Sequence, residues 1–325
     1  MARVVVVGAG LGGLSAACHL AGRGHDVTVL EAADGPGGRA GTWSEGGYRF
    51  DTGPTVLTMP HLVERCFAAA GVEMGDLLRL QAVDPMYRAC YADGSELRVR
   101  HGREAMTEEI RSVCGPVEAA AFGGFCDWLT RLYELEMPAF IERNYDSPLD
   151  LARPLRPALE LVRLGGFRKL SRVVGRRFAD ERLRRLFSFQ ATYAGLAPYE
   201  ALALYAVITY MDTVNGVVVP VGGMHALPVA LAAAVAKAGG ELRYGAPVER
   251  VLLGAGDGRD DRDGDGDGHG DAGGPVRGVR LVGGEVVPAD AVVCNPDLPV
   301  AYRHLLPGLR PPRVTRRGAY SPSAV

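Results

Sequence analysis

The stretch "RVVVVGAGLGGLSAACHLAGRGHDVTVLE", residues 3–31, decides the fold. Residues 3–7 are a short apolar run of the kind shown by a strand covered on both faces. Gly8 to Gly13 are expected to form a tight turn, residues 14–23 a helix, and residues 26–30 (DVTVL) a second strand. Strand, glycine turn, helix and strand within about 30 residues make a β-α-β unit with parallel strands. Each glycine of the G-x-G-x-x-G spacing then has a task. Gly8 permits the turn, Gly10 lets backbone approach a pyrophosphate, and Gly13 allows close helix–strand packing. The helix start offers unpaired N–H groups and roughly half a positive charge to phosphates. Glu31 stands 23 residues after Gly8. A carboxylate there meets the hydroxyls of an adenosine ribose and repels a 2′-phosphate, which argues against NADP.

A nicotinamide site could stop at Glu31. Instead "LEAADGPGGRAGT", residues 30–42, adds a second glycine-rich element, Gly37-Gly38-Arg39-Ala40. FAD is longer on the flavin side, so more backbone must lie close to its pyrophosphate and ribityl chain. The doubled glycine clears side chains from that path, and Arg39 offers charge-assisted hydrogen bonds to phosphate oxygens. The expected cofactor is therefore FAD.

These residues carry a resemblance. The segment VVGAGLGGLSAACHLAGRGHDVTVLEAADGPGGRAGT (6–42) with YRFDTGPTVLT (48–58) resembles the bacterial-type phytoene desaturases, FAD-dependent carotenoid desaturases within the amine-oxidase-like flavoproteins. LRRLFSFQATYAGLAP (183–198), the segment 216–253 and ADAVVCNPDLP (289–299) extend it over nearly the whole chain. The resemblance implies an α/β fold: a Rossmann-like FAD-binding domain of the GR2 type with an interleaved α+β substrate domain. The FAD-binding domain would comprise 1–58 and 216–300, the substrate domain 59–215, and 301–325 the start of a return segment. FAD contacts would fall on Gly8, Gly10, Gly13, Glu31, Gly38 and Arg39. The turn Gly53-Pro54-Thr55-Val56 would lie beside the isoalloxazine, Val248 would meet adenine through its backbone, and Asn295 would end the strand returning to the cofactor domain. Family members carry a later glycine-rich strand–helix element. No GD or GAG motif follows Asn295, so the chain is expected to be a fragment whose last residues begin a strand.

The implied reaction is dehydrogenation of adjacent carbons in a lipophilic isoprenoid such as phytoene. It needs the flavin held against a C–H bond with water excluded, so the cofactor carries the hard step. Three competing readings are an amine oxidase, a protoporphyrinogen-type oxidase and a polyene saturase. A fourth is an inactive remnant that binds only a nucleotide or a partner protein. No side chain is identified as catalytic. His225, after Gly222–Gly223, either approaches the flavin or is a helix-start residue without a chemical role.

The rest of the chain sets bounds. A length of 325 residues favours two domains. A net charge of −2 gives no electrostatic case for nucleic acid. There is no GxSxG or HExxH motif, and no histidine spacing that suggests a metal. The six cysteines form no CxxC pair and are expected to be reduced thiols of a cytoplasmic protein. The start MARVVVVGAG passes directly into functional glycines and is not expected to be a leader. The longest stretch free of charged residues, Thr213 to Ala236, is broken by Pro220, Pro228 and two adjacent glycines, against a membrane span. Residues 254–274 are expected to be a solvated insertion at a hairpin tip. Asp263, Asp265 and Asp267 have the start of a calcium-loop spacing, but the twelfth position is Gly274 rather than glutamate.

Helices are expected over 60–70, most of 103–142, parts of 148–185, 181–210 with breaks near Gly195 and Pro198, and 224–238. Hairpin strands are expected in 86–100 around Asp93-Gly94 and in 276–294 around Gly283-Gly284. Residues 151–185 hold eleven basic and three acidic residues, with Leu155, Leu159, Val162, Leu170 and Val173 recurring at helical steps. Two readings stand: a basic amphipathic face lying on the inner surface of a membrane, or a solvated arginine-rich face over an ordinary core stripe.

Overall fold

The computed structural model describes residues 1–144, 150, 155–254, 274–307 and 309–318. The chain divides into two compact units, one of 1–81 with 219–320 and one within 82–218. The first unit opens with strand β1 (Arg3–Val7), helix α1 (Leu11–Gly22) and strand β2 (Asp26–Leu30). Hairpin β3 (Thr42–Glu45) and β4 (Tyr48–Asp51), helix α2 (Pro60–Ala69) and strand β5 (Leu80–Ala82) follow. The second unit contains hairpin β6 (Tyr87–Cys90) and β7 (Glu96–Val99), then α3 (Arg103–Cys114), α4 (Pro116–Glu136), α5 (Leu155–Arg163), α6 (Leu170–Gly175), α7 (Glu181–Leu186) and α8 (Val207–Thr209). From β8 (Val218–Pro220) the chain returns to the first unit. There it forms α9 (Ala226–Lys237), β9 (Glu241–Arg243), β10 (Val248–Leu253), β11 (Val276–Leu281), β12 (Val286–Pro288), β13 (Ala291–Cys294), α10 (Leu298–Val300) and α11 (Arg313–Arg317).

The centre of the first unit is a four-stranded parallel sheet in the order β13-β1-β2-β9. Alternation along β1 explains why four consecutive valines are buried. Val6, with Val27 and Val29 of β2, packs against Ala17 and Cys18 of α1, Leu231 and Val235 of α9 and Phe67 of α2. Val5 and Val7 face the other way, onto Val251, Val279 and Leu281 of the antiparallel sheet β10-β11-β12. A parallel sheet covered on both faces has no polar side to show, hence the unbroken apolar run. Arg3 and Asp290 clasp the start of this sheet: Arg3 Nη2 donates to Asp290 at 2.8 Å, and the Arg3 N–H donates to the same carboxylate at 2.8 Å. Helix α2 belongs to this unit, because it docks on α1 so closely that a Cβ on Gly22 would lie 1.6 Å from the Ala69 carbonyl oxygen. The division therefore falls at 81/82 and 218/219 rather than at 58/59 and 215/216. Leu305 shares a core with Val5 and Leu281, so the chain just past 301 also packs within the first unit.

The second unit is built on helices. Gly115, at φ 94°, ends α3, and Pro116 opens α4. A left-handed glycine stop followed by a proline start divides what the sequence suggested as one helical stretch. Phe122, Phe125, Phe178 and Phe187 form its aromatic centre. The buried Glu118 Oε1 accepts the N–H groups of Ala179 and Asp180, both at 2.9 Å. After α7 the helical structure expected over 181–210 takes the form of short 3-10 turns, Phe189–Ala194 and Ala203–Ala206, and the expected break near Gly195 is there, with Gly195 left-handed. The C-terminal strand expectation is also corrected in part: 313–317 is helical, and 319–325 lie outside the described residues. Nearly all of the 254–274 insertion, and 145–149 and 151–154 of the basic segment, lie outside them too. Among the described residues, no helix is long and apolar enough to cross a membrane.

Glu136, at the end of α4, is buried, and its Oε1 lacks a hydrogen-bond partner among the described residues. Burial pushes its carboxyl from the ordinary value of 4.5 up to about 8. The folded chain therefore holds a proton that the unfolded chain has released. Stability should fall as pH rises from about 4.5 to about 8 and level off above. Glu136→Gln should flatten that fall and unfold at higher urea than wild type at about pH 8. Parallel pH profiles of the two urea midpoints would contradict this.

Candidate cofactor cleft

Gly10 holds an extended conformation (φ −73°, ψ 173°) and ends the turn, so α1 starts at Leu11, three residues earlier than the sequence suggests. Gly12 and Gly13 are thus helical. Gly8 needs its glycine for conformation, at φ 100°, and Gly13 needs its own for space. A Cβ on Gly13 would lie 2.0 Å from the Gly8 carbonyl oxygen, so that only glycine allows α1 to start against β1. The Asn295 side chain fits into the same small space. It would come within 3.2 Å of a Cβ on Gly10 and 2.6 Å of one on Gly12. Its own N–H donates to the Val7 carbonyl at 3.0 Å, which places it at the carboxyl end of the sheet.

The second glycine element lies against the first. The Gly37 N–H donates to the Ala9 carbonyl at 2.9 Å, and Gly10 and Gly37 form a parallel bridge. Gly38 is left-handed (φ 54°), and a Cβ on it would lie 3.2 Å from the Gly10 Cα. The two elements thus make one backbone-lined trough. Glu31 closes its far end. Its Oε2 accepts the Ala9 N–H at 2.7 Å and its Oε1 the Ala33 N–H at 2.9 Å, which fixes the carboxylate without a cation.

A cleft of about 760 Å³ runs along this trough, a size suited to a large organic ligand. Of the residues singled out from sequence, Gly8, Gly10, Glu31, Gly38, Arg39, Pro54, Val248 and Asn295 line it. Gly13, Gly53, Thr55 and Val56 do not. Gly13 is buried beneath the turn. A Cβ on Gly53 would lie 1.9 Å from the Arg39 carbonyl oxygen, so Gly53 packs on the second glycine element. Thr55 and Val56 are exposed. Arg39 donates through Nη2 to Asp297, which also lines the cleft. Both side chains are exposed, and the guanidinium carries further N–H donors that can meet an anion.

His225 does not line the cleft. Its Nδ1 lies 2.9 Å from the Ala40 carbonyl oxygen, and its ring packs 3.1 Å from where a Gly37 Cβ would be. It holds the second glycine element in place. Asp51 holds His225 in turn. The Asp51 carboxylate accepts the Met224 N–H at 2.9 Å and the His225 N–H at 3.3 Å, just ahead of α9, and a Cβ on Gly223, which has φ 95°, would lie 3.0 Å from it. Sequence reasoning passed over Asp51 although it stands in the stretch YRFDTGPTVLT. It passed over Asp297 and His304 as well, two further polar residues of the cleft wall.

The sequence matches the model of flavin-containing amine oxidoreductases over residues 11–323. This chain belongs to that family. A phytoene dehydrogenase of Streptomyces griseus is 50% identical to this flavoprotein over 322 residues, which cover 99% of this chain and 59% of the relative. A zeta-carotene-forming phytoene desaturase of Myxococcus xanthus is 38% identical over 307 residues, covering 94% and 55%. An oxidoreductase of Methanosarcina mazei shares the fold at a TM-score of 0.57 and 19% identity, over 95% of this chain and 62% of that one. The chain thus spans about half the length of the curated relatives it matches. The expectation of FAD rather than a nicotinamide cofactor holds, and so does the α/β FAD-binding fold. The trough fits FAD chemically: backbone without side chains lines it, as a pyrophosphate requires, and the Glu31 carboxylate offers acceptors to hydroxyl donors.

Asp51→Ala should cost about 1 kcal/mol of stability, as loss of a helix-start acceptor does, and Asp51→Asn less. Urea midpoints of both variants equal to wild type would show that Asp51 does not hold the α9 start.

Proposed function

We propose that this chain carries the FAD site and the substrate-side unit of a desaturase that removes hydrogen from adjacent carbons of a lipophilic isoprenoid, phytoene or a related polyene. The observation that carries the reading is the single cleft that joins Gly8, Gly10, Gly38, Glu31 and Asn295, in a chain half-identical to a phytoene dehydrogenase. Gly8, Gly10 and Gly38 would hold the pyrophosphate by backbone alone, Arg39 would add donors to it, and Glu31 would accept the ribose hydroxyls. The Val248 backbone would meet the adenine. The turn Gly53–Val56, of which Pro54 lines the cleft, would flank the isoalloxazine. Gly13 acts one step removed, by letting α1 start against β1, while Asn295 would meet the cofactor from the end of β13. Bound FAD supplies the hydride acceptor. The chain's own share is to orient it and keep water from it, through an apolar rim that includes Leu11, Val300 and Leu305.

The second unit fits a substrate that resides in a bilayer. On α5, Leu155, Leu159 and Val162 are exposed while Leu161 is buried, and Phe167 is exposed beyond the helix end. Arg156, Arg163, Arg168 and Lys169 are exposed along the same segment. An apolar face edged with cations suits the surface of an anionic membrane. All six cysteines are free, which fits the cytoplasmic side.

Expression in a phytoene-accumulating host tests the reading. Flavin-loaded protein should lower phytoene and yield more conjugated products, seen as red-shifted absorbance of the extracted pigments. Unchanged phytoene beside flavin-loaded protein would contradict it.

A further inference from the structure

A second cleft, of about 480 Å³, lies wholly within the 82–218 unit. Five cations line it: Arg168, Lys169, Arg172, Arg176 and Arg177. No carboxylate does. The acids on either side of this segment pair with other cations: Glu160 with Arg131, Asp180 with Arg182, and Glu181 with Arg184 and Arg185. Among the described residues, none of the five is paired with a carboxylate. Arg172 and Arg176 stand four residues apart, a like-charge spacing that destabilises a helical turn. Arg177 is partly withdrawn from water. Its guanidinium carbon lies 4.4 Å from the centroid of the Trp128 ring, and its Nη1 donates to the Val173 carbonyl at 3.0 Å. Burial lowers the Arg177 pKa from its ordinary value, a cost that a bound anion would relieve.

We infer that this cleft binds a phosphate group. Convergent guanidinium forks match tetrahedral oxyanions, and a concave wall of one sign concentrates them. The same chemistry is offered by an anionic phospholipid headgroup and by a soluble phosphomonoester. The apolar edge selects between them. Phe167 forms part of the cleft wall and is exposed, and α5, which ends four residues before it, carries exposed Leu159 and Val162. A ligand with phosphate at one end and hydrocarbon at the other fits both, so the lipid headgroup is the favoured source. The choice of source rests on the membrane-facing reading of this segment; the phosphate site itself does not.

The chain has two tryptophans, Trp43 and Trp128, so Trp43→Phe leaves Trp128 as the sole reporter beside Arg177. Titration of that variant with inorganic phosphate, at ionic strength held constant with chloride, should give a saturable change in Trp128 fluorescence. Arg172→Gln with Arg176→Gln, both on exposed side chains, should weaken it at least tenfold, roughly the loss of one or two charge-assisted hydrogen bonds. Arg168→Gln alone is the milder variant and should weaken it less. No saturable response, or an equal one in the double variant, would overturn the site. Sedimentation with vesicles of phosphatidic acid in phosphatidylcholine then separates the sources. Binding that inorganic phosphate displaces and the double variant loses assigns the headgroup. A phosphate response without vesicle binding keeps the site, assigns a soluble phosphomonoester and removes the membrane reading.

Discussion

The close approach of Gly13 to the Gly8 carbonyl oxygen sets the geometry of the first unit. With only 2.0 Å available to a side-chain carbon, α1 can begin directly over the end of β1 only because position 13 has none. That start fixes where the Gly10 backbone lies. A Cβ on Gly10 would lie 3.2 Å from the Asn295 Nδ2, and a Cβ on Gly38 would lie 3.2 Å from the Gly10 Cα. The trough is therefore a consequence of packing before it is a ligand site. It is shaped by what four glycines lack, at the end of a sheet whose valines Val4 to Val7, Val27 and Val29 are buried.

Elements distant in sequence then hold the trough in shape. Asp51, at the end of β4, ties down the start of α9, and His225 at that start supports the carbonyl of Ala40. The second glycine element thereby gains a rigid back wall. Arg39 reaches across to Asp297 beyond β13, so the cation nearest the trough is held by a residue 258 positions away. In an exposed setting such a pair adds little stability. Its effect is to orient the guanidinium at the cleft edge. Glu31 is oriented by two backbone N–H groups instead.

The features legible in the sequence are those with a local cause. The turn Gly8–Gly10 and the strands around it follow from backbone sterics within a few residues, and the Glu31 spacing from the length of one β-α-β unit. The hairpin at Asp93-Gly94 carries its own signal, as the Asp93 side chain accepts the Ser95 N–H at 2.9 Å. What was illegible depends on partners far away in the chain. Asp51 and Met224 are 173 residues apart, and no pattern near either announces the bond. The start of α1 was misplaced because helix propensity disfavours Gly12 and Gly13, yet tertiary packing puts both in the helix. The 3-10 turns after α7 have apolar residues at helical steps. Their conformation is set by docking onto the aromatic core of the second unit, not by that period. Residues 168–177 read as a charged helical face, but only the fold shows that five of their cations converge on one cleft.

If missing side chains at the trough admit the cofactor, a side chain on Gly10 should exclude it. Flavin retained by purified Gly10→Val, measured as the ratio of flavin to protein absorbance, tests this most directly. Gly35→Val is the control, since a Cβ there meets nothing within 4 Å. The prediction is that Gly10→Val keeps its far-UV circular dichroism and loses the flavin bands, while Gly35→Val retains them. A folded Gly10→Val protein with a full complement of flavin would contradict the account.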